Sequence, residues 1–281
     1  MRAVQTIKEI RDALKAGRRH GTTIGLVPTM GALHVGHERL LDVARSECDV
    51  SVVSIFVNPL QFGPNEDYER YPRTFDQDIE ICERHGVDFV FAPATGEMYP
   101  LPQLTLVEVT RVSEKLCGSF RPGHFRAVAT VVLKLFNIVQ PHRAYFGEKD
   151  MQQLAVIRRM TADLNLPLTI VPVPTVREAD GLAVSSRNRY LDSEQRKLAP
   201  LLYRALQEAA ERIRSGEKDA AKIREAGLGV FAEAPLVRVE YLEVVDPDEM
   251  QPVTRVCLPV RIAGAVWVGS TRLIDNILVE S

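Results

Sequence analysis

Thr23-Ile24-Gly25-Leu26-Val27, followed by Pro28-Thr29-Met30-Gly31-Ala32-Leu33-His34-Val35-Gly36-His37, decides how the rest of the chain is read. The first five residues are an apolar run of the kind that forms a buried strand. The next segment is a turn of small residues, after which Leu40, Leu41, Val43 and Ala44 recur at helical spacing. Two histidines three residues apart open that helix and share one face of its first turn. The free N–H groups of the turn and the helix dipole favour an anion. Gly31 and Gly36 let the backbone come close to a ligand. A strand–turn–helix of this composition suits the phosphates of a nucleotide. Two other uses of the histidines stand beside it. One is a plain helix entry with capping or surface histidines. The other is a metal site, which lacks a third ligand at recognisable spacing because Cys48 lies too far along the helix.

Working outward, strand and helix alternate up to about residue 175. Strands are expected at Thr23–Val27, Val50–Val57, Val87–Phe91, Ala144–Phe146 and Leu168–Val173. Helical periods fall at Gly36–Cys48, Thr74–His85, Phe125–Val139 and Asp150–Leu164, with a further amphipathic helix over residues 1–17 in place of a signal peptide. This grammar predicts a parallel sheet with helices on both faces. Ligands bind such sheets beyond the carboxyl ends of the strands. Leu104–Val109 reads as one more strand. After Pro172, Pro174 and Gly181 the character changes. Asp192 and Gln195 have capping-box spacing and open a helix over Leu198, Leu201, Leu202 and Leu206 that Gly216 stops. A second helix covers Ala220–Ala226. Alternation then puts Val237, Val239 and Tyr241 on one face of a strand, and Val256, Leu258, Val260 and Ile262 on another, with Pro259 marking an edge or bulge. Two domains result: 1–175, an α/β unit, and 176–281, a smaller α+β unit with an antiparallel sheet.

Three further clusters sit where strands end. Asn58 and Gln61 leave the second strand, and a glutamine amide reads hydroxyl and carboxylate groups together. Gly147-Glu148-Lys149-Asp150 repeats the strand-to-helix logic. Lys149 is a point charge suited to phosphate. Asp150 stands at an N-cap position or accepts from a ribose hydroxyl, and Gln153 faces back over the helix start. In Val176–Leu191, Ser185, Ser186 and Arg187 form a phosphate clamp or a charged linker; the arginine fork contacts two oxygens at once. Asp76 and Asp78 would bear on a magnesium ion carried by phosphates, or serve as the acidic first turn of a helix.

Composition narrows the class. The chain has 281 residues, 46% apolar and 26% charged, with net charge −2. No broad basic field exists to hold nucleic acid. Cys48, Cys82, Cys117 and Cys257 form no C-x-x-C pair and read as the reduced thiols of a cytoplasmic protein. No apolar run reaches membrane-spanning length.

His34-Val35-Gly36-His37 resembles the His-x-Gly-His signature of the adenylyl-transferring superfamily that includes class I aminoacyl-tRNA synthetases and small nucleotidyltransferases. Taken in order, Val27–His37, Phe56–Gly63, Phe146–Gln153 and Val176–Leu191 resemble the successive motifs of the pantothenate synthetase (pantoate–β-alanine ligase) family, and the likeness covers nearly the whole chain. The resemblance implies a Rossmann-like first domain. It also implies condensation of (R)-pantoate with β-alanine through a pantoyl adenylate, with release of AMP and pyrophosphate. It implies that His34 and His37 meet the phosphates, with His37 the candidate proton donor, and that Lys149, Ser185, Ser186 and Arg187 hold the polyphosphate. The backbones of Gly147 and Val176 and the side chain of Asp150 hold the adenosine part, and Gln61 and Gln153 bind pantoate. The nucleotide-contacting set is then Met30, Gly31, Ala32, Leu33, His34, Val35, Gly36 and His37, together with Gly147, Glu148, Lys149, Asp150, Val176, Val184, Ser185, Ser186 and Arg187. Magnesium accompanies ATP, held mostly by phosphate oxygens with Asp78 as a protein contact, and no tightly bound organic cofactor is implied. A homodimer is expected from the resemblance alone. A tRNA synthetase would add an RNA-reading domain, which the acidic balance and short C-terminal part oppose. A minimal nucleotidyltransferase would leave the second domain unused. A nucleotide-binding module without chemistry would not need Gln61, Gln153, Lys149 and Arg187 together.

Overall fold

A computed structural model describes residues 1–19, 21–64, 66–232 and 234–280. They group into two compact units. The first comprises Met1–Val109, Arg121–Glu148 and Val156–Pro174; the second comprises Thr110–Phe120, Lys149–Ala155 and Thr175–Ser281. The second unit therefore draws two short segments from the first two thirds of the chain.

The first unit is built on six parallel strands: β1 (Arg2–Val4), β2 (Ile24–Thr29), β3 (Val50–Ile55), β4 (Phe89–Phe91), β5 (Arg143–Gly147) and β6 (Thr169–Val173). Their order is β1-β4-β3-β2-β5-β6. Successive strand residues point to opposite faces. Leu26 and Val27 are nevertheless both fully buried, so both faces of β2 are covered. Val27, Val53 and Val90 share one cluster with Leu40, Leu41 and Ala44 of the helix Val35–Glu47. Each of those buried leucines contributes about 1.5–3 kcal/mol by leaving water. The mostly buried helix His124–Val139 packs against β2 and against the helix Ile7–Arg19. The expected strands and helices form with shifts of one or two residues. The order reverses at β2, whose neighbours are β3 and β5, and ligands bind at such a switch point in doubly wound sheets.

Two expectations fail in this unit. Residues 2–4 are a strand on the edge beside β4, and the helix starts only at Ile7. Three residues are too few to show a period. Leu104–Val109 forms no strand within the chain: Leu104 is 93% exposed, and the Val107 N–H donates to Thr130 Oγ1 at 2.9 Å instead of to a ladder. Its alternating pattern pairs with neither edge strand of this sheet, β1 or β6.

A polar strap crosses the same unit. His85, at the C-cap of the helix Phe75–Arg84, contacts Asp42 (2.6 Å) and Glu38 (3.0 Å) on the helix Val35–Glu47. Burial opposes its charge, but the two carboxylates outweigh that and raise its pKa above the ordinary value. A raised histidine contributes stability that is complete below its unfolded pKa and is lost as pH rises through the folded one. These groups are partly exposed, so the contribution is at most about 1 kcal/mol. His85→Gln should lower the melting temperature more at pH 6 than at pH 8.5; an equal loss at both would contradict a charged strap.

The second unit carries an antiparallel sheet of β7 (Val237–Val245), β8 (Val260–Val268) and β9 (Thr271–Val279), with β8 central. The capping box forms: Asp192 accepts from the Glu194 and Gln195 N–H groups and Gln195 accepts from the Asp192 N–H. The single helix expected after it is two, Ser193–Leu198 and Leu201–Arg214. Pro200 has no N–H to continue the ladder. A register shift between Val239 and Tyr241 changes the alternation of β7, so Leu242 and Val244, not Tyr241, join Val237 in the core. Strand β8 begins only after Pro259, so Val256 and Leu258 lie outside it. Strand β9 is an addition to the expected elements. Among the described residues no helix is long and apolar enough to cross a membrane.

Candidate active site

The turn after β2 is shaped by one buried carboxylate. Asp78 Oδ2 accepts from the Ala32 N–H at 2.9 Å and Oδ1 from the Leu33 N–H at 2.8 Å, with Thr74 Oγ1 donating to Oδ1 at 3.2 Å. Gly31 has φ +78°, and a Cβ there would meet Asp78 Oδ2 at 2.8 Å. The Asp78 carboxylate thus spends a lone pair of each oxygen on holding this turn. Removing it would leave two buried N–H groups unsatisfied at about 1–3 kcal/mol each. Among the described residues, no group of three or more His, Cys, Asp or Glu side chains is arranged to hold a metal ion. Neighbouring Cys82 is buried and its thiol is pushed up to about 12, which keeps it protonated.

His34 is the N-cap of the helix Val35–Glu47, where its Nδ1 accepts from the Gly36 N–H at 3.2 Å. A Cβ at Gly36 would lie 3.0 Å from that ring, so glycine admits the cap. The His34 and His37 ring centroids are 4.0 Å apart. The capping residue and its ring neighbour therefore sit together on a helix N-terminus that favours negative charge.

Gln61 ends a short 3-10 turn, Pro59–Gln61, that Asn58 caps by accepting from the Leu60 N–H. Gln61 Nε2 lies 2.9 Å from Met30 Sδ, which brings the mouth of β3 to the turn after β2. Asn58 Nδ2 donates to Gln61 Oε1 at 3.3 Å, and Tyr99 donates to Asn58 Oδ1 at 2.9 Å. Burial pushes the Tyr99 phenol up to about 12, so it remains a donor. The Gln61 carbonyl accepts from His124 Nδ1 (2.8 Å) and Arg121 (3.2 Å). Arg121 also donates to His124 Nε2 at 3.0 Å, which leaves the proton on Nδ1. Glu66 holds Arg121 through Nε at 2.7 Å. Burial raises the Glu66 carboxyl, but Arg121 outweighs it and holds it below the usual range. In the sequence, Arg121-Pro122-Gly123-His124-Phe125 reads only as a turn, from its Pro-Gly pair.

The second unit holds the other candidates. Lys149 and Asp150 close a 3-10 turn, Glu148–Asp150, that follows β5 and runs straight into the helix Met151–Asp163. Asp150 lies within that turn, with its carboxylate 3.7 Å from Lys149 Nζ. Gln153 is half-buried on the first helical turn, whereas its neighbour Gln152 is buried and bonded to Cys117, Val112 and Lys115. Residues 176–184 form a closed hairpin rather than an open linker. The Val184 N–H donates to Val176 O (3.0 Å), Glu178 N–H to Leu182 O (2.8 Å), and Arg177 pairs with Ala183. Ser185 caps the 3-10 helix Ser186–Tyr190 by accepting from the Arg187 N–H at 3.3 Å.

A strand–turn–helix with paired histidines at the switch point of a parallel sheet defines a nucleotide-binding α/β protein. Comparison with known proteins narrows this. The family described as Pantoate-beta-alanine ligase matches residues 2–278. A pantothenate synthetase of Moorella thermoacetica is 54% identical over 280 residues, covering 100% of this chain and 99% of that one. One from Thermotoga neapolitana is 53% identical over 99% of this chain and 100% of its own. The crystal structure of pantothenate synthetase from Thermus thermophilus aligns over 100% of both chains with TM-score 0.95 and 48% identity. That of the Francisella tularensis pantoate-beta-alanine ligase, complexed with beta-gamma ATP and beta-alanine, covers 99% of this chain and 97% of that one, with TM-score 0.81 and 35% identity. The chain belongs to the pantoate–β-alanine ligase family.

Proposed function

We propose that this chain joins (R)-pantoate to β-alanine at the expense of ATP, releasing AMP and pyrophosphate, as a step of pantothenate biosynthesis. The observation that carries the reading is the turn after β2, with its two histidines 4.0 Å apart at a helix N-terminus, in a chain matched by this family from residue 2 to residue 278. A pantoate carboxylate oxygen attacks the α-phosphorus, the bond to the bridging oxygen breaks and pyrophosphate leaves. The β-alanine nitrogen then attacks the acyl carbon of pantoyl adenylate, loses a proton, and AMP departs.

The first step brings two anions together, so preorganised positive charge and N–H donors must surround the phosphates. His34, His37, Lys149 and Arg187 supply it, with Ser185, Ser186 and the N–H groups of the Met30–His37 turn. Gly147, Glu148, Asp150, Val176 and Val184 take the adenosine side, and Gln61 and Gln153 take pantoate. Electrostatic stabilisation carries more of the rate than proton donation by His37, because pyrophosphate leaves readily once its charge is neutralised. Magnesium enters with ATP on phosphate oxygens. The acyl adenylate is a labile mixed anhydride, so water must be kept out until the amine arrives. In the 1–175 and 176–281 division, the C-terminal domain acts as the lid. AMP rather than ADP as the product tests the reading.

The protein works in the cytoplasm as a homodimer. Leu101, Leu104 and Leu106, 77%, 93% and 47% exposed, are an apolar stretch that a second copy would cover. Light scattering should give twice the chain mass; a monomer at micromolar concentration would remove this part.

A further inference from the structure

Strand β9 carries a carboxylate and an amide, Asp275 and Asn276, each 5% exposed, in the middle of an otherwise apolar run. Burying such groups costs several kcal/mol unless partners replace water, on the order of 2–7 kcal/mol for a neutral polar group. Their partners lie on two segments that the reaction needs. Asp275 takes both terminal nitrogens of Arg177, at 2.5 and 2.9 Å. Arg177 also donates to Gly181 O at 3.1 Å and lies over the Tyr203 ring at 3.9 Å. It is the root of the hairpin whose other limb, Ala183–Val184, delivers Ser185, Ser186 and Arg187. Asn276 donates from its backbone to Asp275 Oδ1 at 2.7 Å and accepts from Arg261 on its side-chain oxygen. Its Nδ2 donates to the Lys149 carbonyl at 3.1 Å. Two adjacent residues thus grip the backbone that carries the Lys149 ammonium and the hairpin that feeds the serine–arginine clamp.

We propose that Asp275 and Asn276 are positioning residues for adenylate formation, which hold the Lys149 turn and the Ser185–Arg187 segment in fixed register within the second unit. The inference rests on the reading that Lys149 and Ser185–Arg187 serve the polyphosphate. Lysine reaches its target on a flexible four-carbon stem, so the place of its backbone decides where the charge arrives. A displacement of about 1 Å can cost about 10²-fold in rate.

The same sheet provides a control for mere stability. Glu240 forms a second, half-buried ion pair with Arg272 (2.9 Å from Nε) and accepts from Trp267 at 2.8 Å. Pantoate-dependent exchange of labelled pyrophosphate into ATP, KM for both substrates and thermal melts are measured for Asn276→Ala, Asp275→Asn, Glu240→Gln and Lys149→Ala. Asn276→Ala should lose about 10²-fold in maximal exchange rate, with the pantoate KM within about threefold. Glu240→Gln should lose melting temperature and keep its exchange rate. Should Asp275→Asn fail to fold, Asn276→Ala decides alone, because it leaves the Arg177–Asp275 pair in place. Near-normal exchange in Asn276→Ala, with Lys149→Ala impaired, overturns the positioning role. So does a loss in all three sheet variants that merely follows their melting temperatures. Normal exchange in Lys149→Ala overturns the underlying assignment of Lys149, and the positioning role with it.

Discussion

His34→Asn and His37→Ala should each slow single-turnover pyrophosphate release by about 10²–10³-fold, the usual loss when one preorganised donor to developing charge is removed. The choice of asparagine at 34 follows from the structure. His34 caps its helix by accepting from the Gly36 N–H, and asparagine retains that ability while removing the ring. Alanine at 34 would mix a capping loss of about 0.5–2 kcal/mol with the catalytic one. His37 lies one turn further on, inside the helix, and does not cap it. Both variants should melt within a few degrees of the parent protein. Near-normal release from folded variants would return the histidines to a purely structural role.

Removing a phosphate ligand should separate cleanly from removing a pantoate ligand. In the proposed assignment Lys149→Ala and Arg187→Ala take away charge that meets the phosphates, so maximal rate should fall about 10²–10³-fold with modest change in pantoate KM. If they bind pantoate as proposed, Gln61→Ala and Gln153→Ala should each lose hydrogen bonds to a charged acid, worth about 1.5–3 kcal/mol, or roughly 10- to 100-fold in pantoate KM, while ATP affinity by calorimetry stays put. Gln61 should be the more sensitive of the two. Its amide meets Met30 and Asn58 and its carbonyl is held by His124 and Arg121, so it starts preorganised. Glutamine variants that lose ATP affinity and keep pantoate KM would contradict the split.

How much of this is legible in the sequence depends on period and length. Strands β2, β3, β5 and β6 and the helices between them announce themselves as apolar runs and helical spacing, and the doubly wound class follows. Strand β1 is hidden because three residues have no period. Leu104–Val109 has a strand's alternation but pairs with neither edge of the sheet in its unit, and pairing is what propensity lacks. Strand β9 is hidden by Asp275-Asn276, a polar interruption of the apolar pattern; that interruption is also the signal, since a buried acid and amide need partners. The strand ends point to the candidate loops, but not to what holds them. Asp78 looks like an acid available to a cation, and its partners are the N–H groups of Ala32 and Leu33, 46 and 45 residues away in sequence. His124 and Arg121 look like a turn because nothing local tells that their nitrogens meet the carbonyl of Gln61. Long-range hydrogen bonds leave no periodic trace.

The proposed acyl adenylate forms before the amine is needed. It is tested most directly by incubating the protein with ATP, magnesium, labelled pyrophosphate and pantoate, without β-alanine. Label should enter ATP only when pantoate is present, and added β-alanine should drain the intermediate to give pantothenate and AMP in equal amounts. No pantoate-dependent exchange in folded protein that binds ATP, or formation of ADP and phosphate in place of AMP, would contradict the account.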